Sequence, residues 1–160
     1  MGSKTLVYRI KVEDNLKESL KHLKRLDNAF GQLMIKYKFP LEIDSYKKIL
    51  DELDSLAYSD QIIYRFAKLQ DVMGAKLFKS LLLYQGENVN RPFLDILNSL
   101  EKMDIIEVDD WFEIRDLRNE ISHDYEESDG VAINILNSIY LLKEELKIVL
   151  EKIDMIKRGL

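Results

Sequence analysis

The sequence predicts an all-α fold: an antiparallel bundle of five to six helices in a single domain that spans residues 1–160. Turn-forming residues are scarce, with 6 Gly and 2 Pro in 160 positions, whereas Leu, Ile, Lys and Glu are abundant. Apolar residues also recur at steps of three and four through most of the chain, which is the period of an amphipathic helix.

The first helix is predicted to be long and to end before KFPLEID, because Pro40 disfavours helical geometry at Phe39. Its buried stripe comprises apolar residues at helical spacing: Val12, Leu16, Leu20, Leu23, Leu26, Phe30 and Leu33. A shorter second helix is expected in DSYKKILDELDSLAY, with Asp44 or Ser45 as its cap. Its apolar face would comprise Tyr46, Ile49, Leu50, Leu53, Leu56 and Ala57.

The third helix is predicted to start at Ser59 or Asp60 and to run to Tyr84, where QGENVNRP ends it. Asn90 before Pro92 suits the cap of a short fourth helix with proline in its first turn. The aromatic residues of this middle region are spaced as core residues: Phe66, Phe78, Phe93 and Trp111.

Asp109 or Asp110 is expected to cap a fifth helix, which leads into the acidic loop DYEESDG. Ser128 or Asp129 can start the last helix, which extends almost to the end of the chain. No stretch approaches 18 uninterrupted apolar residues, so the chain is expected neither to span a membrane nor to be exported. The chain has no cysteine, which excludes disulfides and thiolate metal sites and fits a cytoplasmic location best.

The charge is unevenly distributed along the chain. Residues 1–50 carry 11 Lys and Arg against 6 Asp and Glu, whereas residues 101–160 carry 8 against 16. A basic region can attract phosphates or an acidic partner, and an acidic one repels them. Residues 104–129 hold 11 Asp and Glu against 2 Arg, so a nucleic acid could enter there only if basic residues from elsewhere line the site.

The segment RDLRNEISHDYEE contains the one combination that favours chemistry: Arg118 and Asn119, with His123 and Tyr125 following. Arg holds phosphate oxygens in a bidentate way, and His exchanges protons near neutral pH, so the two together indicate phosphoryl chemistry without a metal. On a helix, Asn119 shares a face with His123, and Arg118 shares one with Ser122. Arg118 and His123 are about 140° apart, so they converge only if the helix bends or a second subunit completes the site.

A purely structural interpretation of this segment stays open. Arg118 could pair with Glu120, Asp124 or another nearby carboxylate, while His123 only terminates the helix. Glu120 and His123 form one Glu-x-x-His pair, but a di-iron bundle needs two such pairs, so neither a metal nor a cofactor is expected. His22 lies in a basic stretch and is expected to be solvated.

Around RNEISHDY the sequence resembles the HEPN superfamily and, within it, the HepT-like toxins and nucleotidyltransferase substrate-binding proteins. The long helix YSDQIIYRFAKLQDVMGAKLFKSLL before the motif and the long helix after it extend the resemblance over roughly residues 58–153. The resemblance implies a ribonuclease site formed by Arg118 and His123, assisted by Asn119, in a cleft between the subunits of a homodimer. It also implies that a minimal nucleotidyltransferase antitoxin neutralises the toxin by nucleotidylating Tyr125, whose hydroxyl is expected to be exposed.

Three functions are weighed. The first is a homodimeric, metal-independent ribonuclease toxin whose Arg118 stabilises the phosphoryl charge while His123 moves protons. The second is a non-catalytic substrate-binding subunit that presents a substrate or its own Tyr125 to a nucleotidyltransferase. The third is a helical adaptor in which the motif is accidental.

Overall fold

The computed structural model describes residues 2–159, and every regular element within that range is helical, which confirms the all-α fold. In chain order the elements are α1 (Ser3–Lys36), α2 (Ile43–Asp51), α3 (Leu53–Val72), a π-helical turn (Met73–Leu77), α4 (Phe78–Tyr84), α5 (Phe93–Lys102), α6 (Val108–Asp124) and α7 (Asp129–Lys157). The segments α3, π-helical turn and α4 follow one another without a break and form one long rod. Within the described range, no helix is long and apolar enough to cross a membrane.

The core lies where α1 and α7 pack against the rod of α3 and α4. Its largest fully buried side chains include Trp111, Phe30, Phe66 and Phe78. Burying an aliphatic or Phe side chain of this kind is worth roughly 1.5–3 kcal/mol, so these contacts account for much of the stability. The expectation that Phe66, Phe78 and Trp111 belong to the core is confirmed, whereas Phe93 is only half-buried.

The boundary between the second and third helices differs from the sequence prediction. The chain leaves helical geometry at Glu52 (φ −106°, ψ 114°), and α3 already begins at Leu53 rather than at Ser59 or Asp60. A salt bridge of 3.1 Å from Lys36 Nζ to Glu52 Oε2 ties this break to the end of α1. No Gly or Pro marks the break, so local sequence signals could not locate it.

A π-helical turn interrupts the rod at Met73–Leu77, and nothing in the sequence analysis predicts it. At Gly74, within the turn, a Cβ atom would lie 3.2 Å from Gln70 Nε2 and 3.4 Å from Trp111 Cζ2. Glycine at this position therefore lets α6 approach the rod closely. Such π-helical turns inside α-helices are frequent at functional sites.

The starts of the later helices agree with the sequence to within a few residues. Ser128 caps α7 as expected, because its Oγ accepts a hydrogen bond of 3.2 Å from the backbone N–H of Val131. Asn90 does not cap α5, which starts directly after Pro92. The residue before α6 is Glu107, so the expected caps Asp109 and Asp110 lie in the first turn, where their charges favour the positive end of the helix dipole.

Candidate functional site

The candidate site lies between α6 and the rod, which run antiparallel. Three contacts at successive levels define this arrangement: Trp111 with Phe78, Arg118 with Asp71, and Tyr125 with Ser59. The first of these is an edge-to-face contact with ring centroids 4.7 Å apart, and it anchors the start of α6 in the core. These contacts place Trp111, Arg118 and Tyr125 on the side that faces the rod.

Arg118 is held by one partner on α3 and one on α6. Its Nε donates to Asp71 Oδ1 at 2.9 Å, its Nη2 donates to Asp71 Oδ2 at 3.1 Å, and its Nη1 donates to Ser122 Oγ. The hydrogen bond to Asp71 raises the pKa of Arg118, although partial burial opposes this. The structural alternative, in which Arg118 pairs with a carboxylate, is thus met by Asp71 of α3 rather than by Glu120 or Asp124 of the same helix.

The contacts of Arg118 leave part of the guanidinium free to bind an anion. An arginine side chain has five N–H donors in a planar fork. Asp71 and Ser122 occupy three of them, and the side chain is still 25% exposed. Arg118 can thus bind a further oxygen atom without giving up the contacts that orient it.

A groove of about 490 Å³ opens beside this ion pair. Three cations line it, Lys79, Arg115 and Arg118, against Asp71 as the single carboxylate. The Arg115 guanidinium lies 5.2 Å from the ring centroid of Phe93, which also lines the groove. Further polar lining is provided by Gln70, Asn119 and Ser122. The excess of positive charge suits a phosphate group.

The acidic residues of the 104–129 region do not enter this groove. Glu107 and Asp110 instead face a second cleft, between α6 and α7, together with Glu145. Burial and a hydrogen bond with Asp110 raise the pKa of Glu145 to about 7. The arrangement of the helices thus separates the acidic surface from the basic groove, which the linear sequence could not reveal.

The raised pKa of Glu145 predicts a pH-dependent effect on stability. The folded chain binds a proton at Glu145 below about pH 7, whereas the unfolded chain binds it only near the ordinary value of 4.5, so the wild type loses stability as the pH rises between these values. We expect Glu145→Gln to stabilise the protein at pH 8 by about 1 kcal/mol, after allowance for solvent screening, and not at pH 4. Thermal unfolding at both pH values measures this, and Glu151→Gln on the exposed side of α7 serves as the control. Equal gains for Glu145→Gln at both pH values would contradict it.

His123 does not join Arg118 within one chain. It is exposed and does not line the groove, whereas Asn119 and Ser122 do. α6 remains α-helical through Asp124, and His123 lies on its exposed side. Within one chain, Arg118 and His123 therefore do not form a common site.

Tyr125 is placed differently from the sequence expectation, and the expected exposure of its hydroxyl is wrong. The ring packs against the core, and Oη lies 3.4 Å from Ser59 Oγ. Burial raises the pKa of Tyr125. The residue falls on the inner face of α6, seven positions after Arg118, because its backbone (φ −52°, ψ −42°) continues the helical geometry.

His22 is also buried, at 5% exposure, so the expected solvated position is wrong. Its Nδ1 lies 2.9 Å from Nη1 of Arg65 on α3 and accepts a hydrogen bond from it, which places the ring proton on Nε2. Burial, and then the charge of Arg65, lower the pKa of His22. The spacing to Ser19 and Leu26, three before and four after, places His22 on the buried stripe of α1 and could have revealed this position.

Asp71, Lys79 and Arg115 are site residues that the sequence patterns did not predict. One signal was present, because Asp71 is the only acidic residue between Asp60 and Glu87. A single carboxylate among the basic residues of this helix marks Asp71 as a candidate for an ion pair. In the described part of the chain, no group of three or more His, Asp or Glu side chains is arranged to hold a metal ion.

Comparisons with protein-family models, with curated proteins and with solved structures find no match to this chain. The resemblance to the HEPN superfamily therefore rests on the motif and the helices around it.

Proposed function

We propose that this protein is a metal-independent endoribonuclease of the HEPN type that acts as a homodimer. The observation that carries the proposal is the basic groove in which Asp71 and Ser122 hold Arg118 with N–H groups to spare. A group that is already oriented stabilises developing charge without reorganising during the reaction. His123, an exposed histidine on the same helix as Arg118, supplies the second group that phosphodiester cleavage needs, to the groove of the other subunit.

In the proposed reaction the ribose 2′-oxygen attacks the adjacent phosphorus and forms a 2′,3′-cyclic phosphate. His123 of one subunit takes the 2′-hydroxyl proton, and the bond from phosphorus to the 5′-oxygen breaks. The leaving 5′-oxygen takes a proton from water, and His123 later releases its proton to solvent. Arg118 of the other subunit stabilises the charge on the non-bridging oxygens. DNA lacks the 2′-hydroxyl and would not be cut.

Two subunits are needed because of the helical geometry. Arg118 faces the rod, and His123 is about 140° away around α6 and faces solvent. In a twofold-symmetric dimer each exposed His123 can approach the groove of the other subunit, which gives two equivalent sites.

The direct test of the activity is incubation of a single-stranded RNA with the protein in EDTA. We expect fragments that end in a 2′,3′-cyclic phosphate, identified by mass spectrometry. Cleavage only after a divalent metal is added, or fragments with 5′-phosphate ends, would contradict the proposed chemistry.

Asp71 acts as a positioning residue for Arg118 and also reduces the positive charge of the groove. We expect Asp71→Asn to lower KM for RNA several-fold, because one negative charge near the phosphate is removed. We expect kcat to fall about tenfold, because Arg118 loses part of the contact that orients it. Steady-state cleavage of a labelled RNA separates the two effects. Changes in kcat and KM no larger than those in the exposed-surface variant Asp95→Asn would contradict this role.

Control by a minimal nucleotidyltransferase at Tyr125 is part of the proposal. The transfer requires the Tyr125 oxygen to attack the α-phosphorus of ATP, which releases pyrophosphate and the phenolic proton, so the contact of that oxygen with Ser59 must first break. The added negative charge would oppose RNA entry nearby. Peptide mass spectrometry after incubation with such an enzyme and ATP tests this, and a nucleotide on another tyrosine would contradict it.

A further inference from the structure

Tyr64 on α3 is an exposed aromatic residue between two cations. Half of the side chain is open to solvent. The guanidinium of Arg65 lies 5.0 Å from its ring centroid, and the ammonium of Lys68 lies 5.6 Å from it. An exposed ring flanked by cations combines the two features of sites that bind single-stranded nucleic acid: a surface for base stacking and positive charge for the backbone.

The position of Tyr64 connects it with the proposed active site. It lies seven residues before Asp71, two helical turns away on the same face of α3 and about 10 Å along the axis. α6 runs antiparallel to α3. Tyr64 lies on α3 between Asp71, which contacts Arg118, and Ser59, which contacts Tyr125. Tyr64 therefore lies at the level of the last turn of α6, which carries His123.

The two cations beside Tyr64 form no ion pair within residues 2–159. Arg65 donates from Nη1 to Nδ1 of the buried His22, while its Nε is buried without a hydrogen-bond partner among the described residues. His22 accepts this bond as a neutral ring, so it supplies no negative charge. Lys21 adds a further positive charge near His22, and Glu18 is the nearby carboxylate. The region thus has an excess of positive charge.

We propose that Tyr64, Arg65 and Lys68 form a nucleotide subsite for the RNA strand that is cleaved in the neighbouring groove. Arg65 and Lys68 lie over the ring of Tyr64 in the free protein, so the exposed Lys68 side chain moves off the ring, a base stacks in its place, and the adjoining phosphate contacts the two cations. The subsite rests on the proposed ribonuclease function and deepens it, since it selects single-stranded RNA. A base inside a duplex is stacked on its neighbours and cannot lie on the ring.

Acidic residues limit the subsite on the side away from the groove. Asp60 lies one turn before Tyr64 and is close enough to Glu126 for the two charges to interact. A phosphate would be repelled there, so the strand runs from Tyr64 toward Arg118 and not toward Asp60. We therefore expect a short binding site of a few nucleotides.

Binding of a labelled single-stranded hexanucleotide RNA, measured by fluorescence anisotropy in the His123→Ala background, tests the subsite without cleavage. We expect Tyr64→Ala to weaken binding about tenfold, Tyr64→Phe to retain it within about twofold, and a duplex of the same sequence to bind more weakly. Tyr8→Ala is the matched control, because Tyr8 on α1 also has a cation, Lys11, 6.0 Å from its ring centroid.

Each outcome bears on one of the two proposals. Unchanged binding in Tyr64→Ala overturns the subsite, and cleavage by the wild type then leaves the ribonuclease function standing. Tyr64-dependent binding without any cleavage by the wild type supports the subsite and overturns the ribonuclease function. A Tyr64→Ala protein that sediments as a monomer would place the ring in the dimer interface, which also overturns the subsite. Absence of RNA binding in the His123→Ala background, together with absence of cleavage by the wild type, contradicts both.

Discussion

His123→Ala is expected to lower the rate of RNA cleavage by a factor of about 10² to 10⁴, the usual contribution of a positioned general base. The side chain is exposed, so the substitution removes no packing, and the melting temperature should stay within about a degree of the wild type. The variant is therefore expected to lose cleavage activity and to keep its stability. Cleavage of a labelled RNA in EDTA gives the rate, and circular dichroism gives the melting curve.

Glu120→Ala is the matched control for this experiment, because Glu120 is also exposed and lies on the same helix, three residues earlier. We expect it to cleave RNA at the wild-type rate or slightly faster, since it removes an acidic charge. Full activity in His123→Ala, or equal losses in both variants, would remove His123 from the mechanism.

Trp111→Ala is expected to have the largest effect on stability, a loss of about 3–5 kcal/mol. The side chain is 1% exposed and packs against Phe78 and beside Gly74, where α6 meets the π-helical turn. A domain of this size has a total stability of about 5–15 kcal/mol, so the loss would leave the fold marginal. Urea unfolding followed by circular dichroism measures the change.

Trp111→Phe provides the comparison for this variant. It keeps an aromatic ring and removes Nε1, which has no hydrogen-bond partner among residues 2–159. We expect a loss of about 1 kcal/mol, well below that of the alanine variant, because removal of an unsatisfied donor offsets part of the lost packing. Similar losses of stability in both variants would contradict the described packing of the indole against the rod.

The helices themselves could be predicted well from the sequence, because a buried stripe on a helix repeats every three to four residues. The break at Glu52 could not, since it has neither a glycine nor a proline and depends on the contact with Lys36. The π-helical turn at Met73–Leu77 was also missed; within it, Gly74 lies close to Trp111 of α6, which is distant in sequence. Both features depend on tertiary packing, which local patterns do not encode.

The candidate site shows the same division between local and long-range information. Helical spacing correctly placed Ser122 on the face of Arg118, and the two side chains are hydrogen-bonded. It could not supply Asp71, which lies 47 residues away in sequence on another helix. Tyr125 was judged from its acidic neighbours, but the face of α6 on which it falls decides its burial.

The distribution of charge around α6 differs most from what the linear sequence suggests. Eleven acidic residues in 104–129 suggested a surface that repels RNA. In the folded chain the groove is lined instead by Arg115 and Arg118 from α6 and by Lys79 from α4. Charge counted along a helix cannot distinguish its two sides, and the two sides of α6 differ in charge.

The most direct test of the composite ribonuclease site is complementation between Arg118→Ala and His123→Ala. Each variant alone should be inactive. After subunit exchange in an equal mixture, about half of the dimers contain one copy of each variant, and each such dimer has one site with both Arg118 and His123 intact. We expect the mixture to recover about a quarter of the wild-type cleavage rate, in proportion to the intact sites. No recovery in a mixture shown by native mass spectrometry to contain the mixed dimer would contradict a site shared between two subunits.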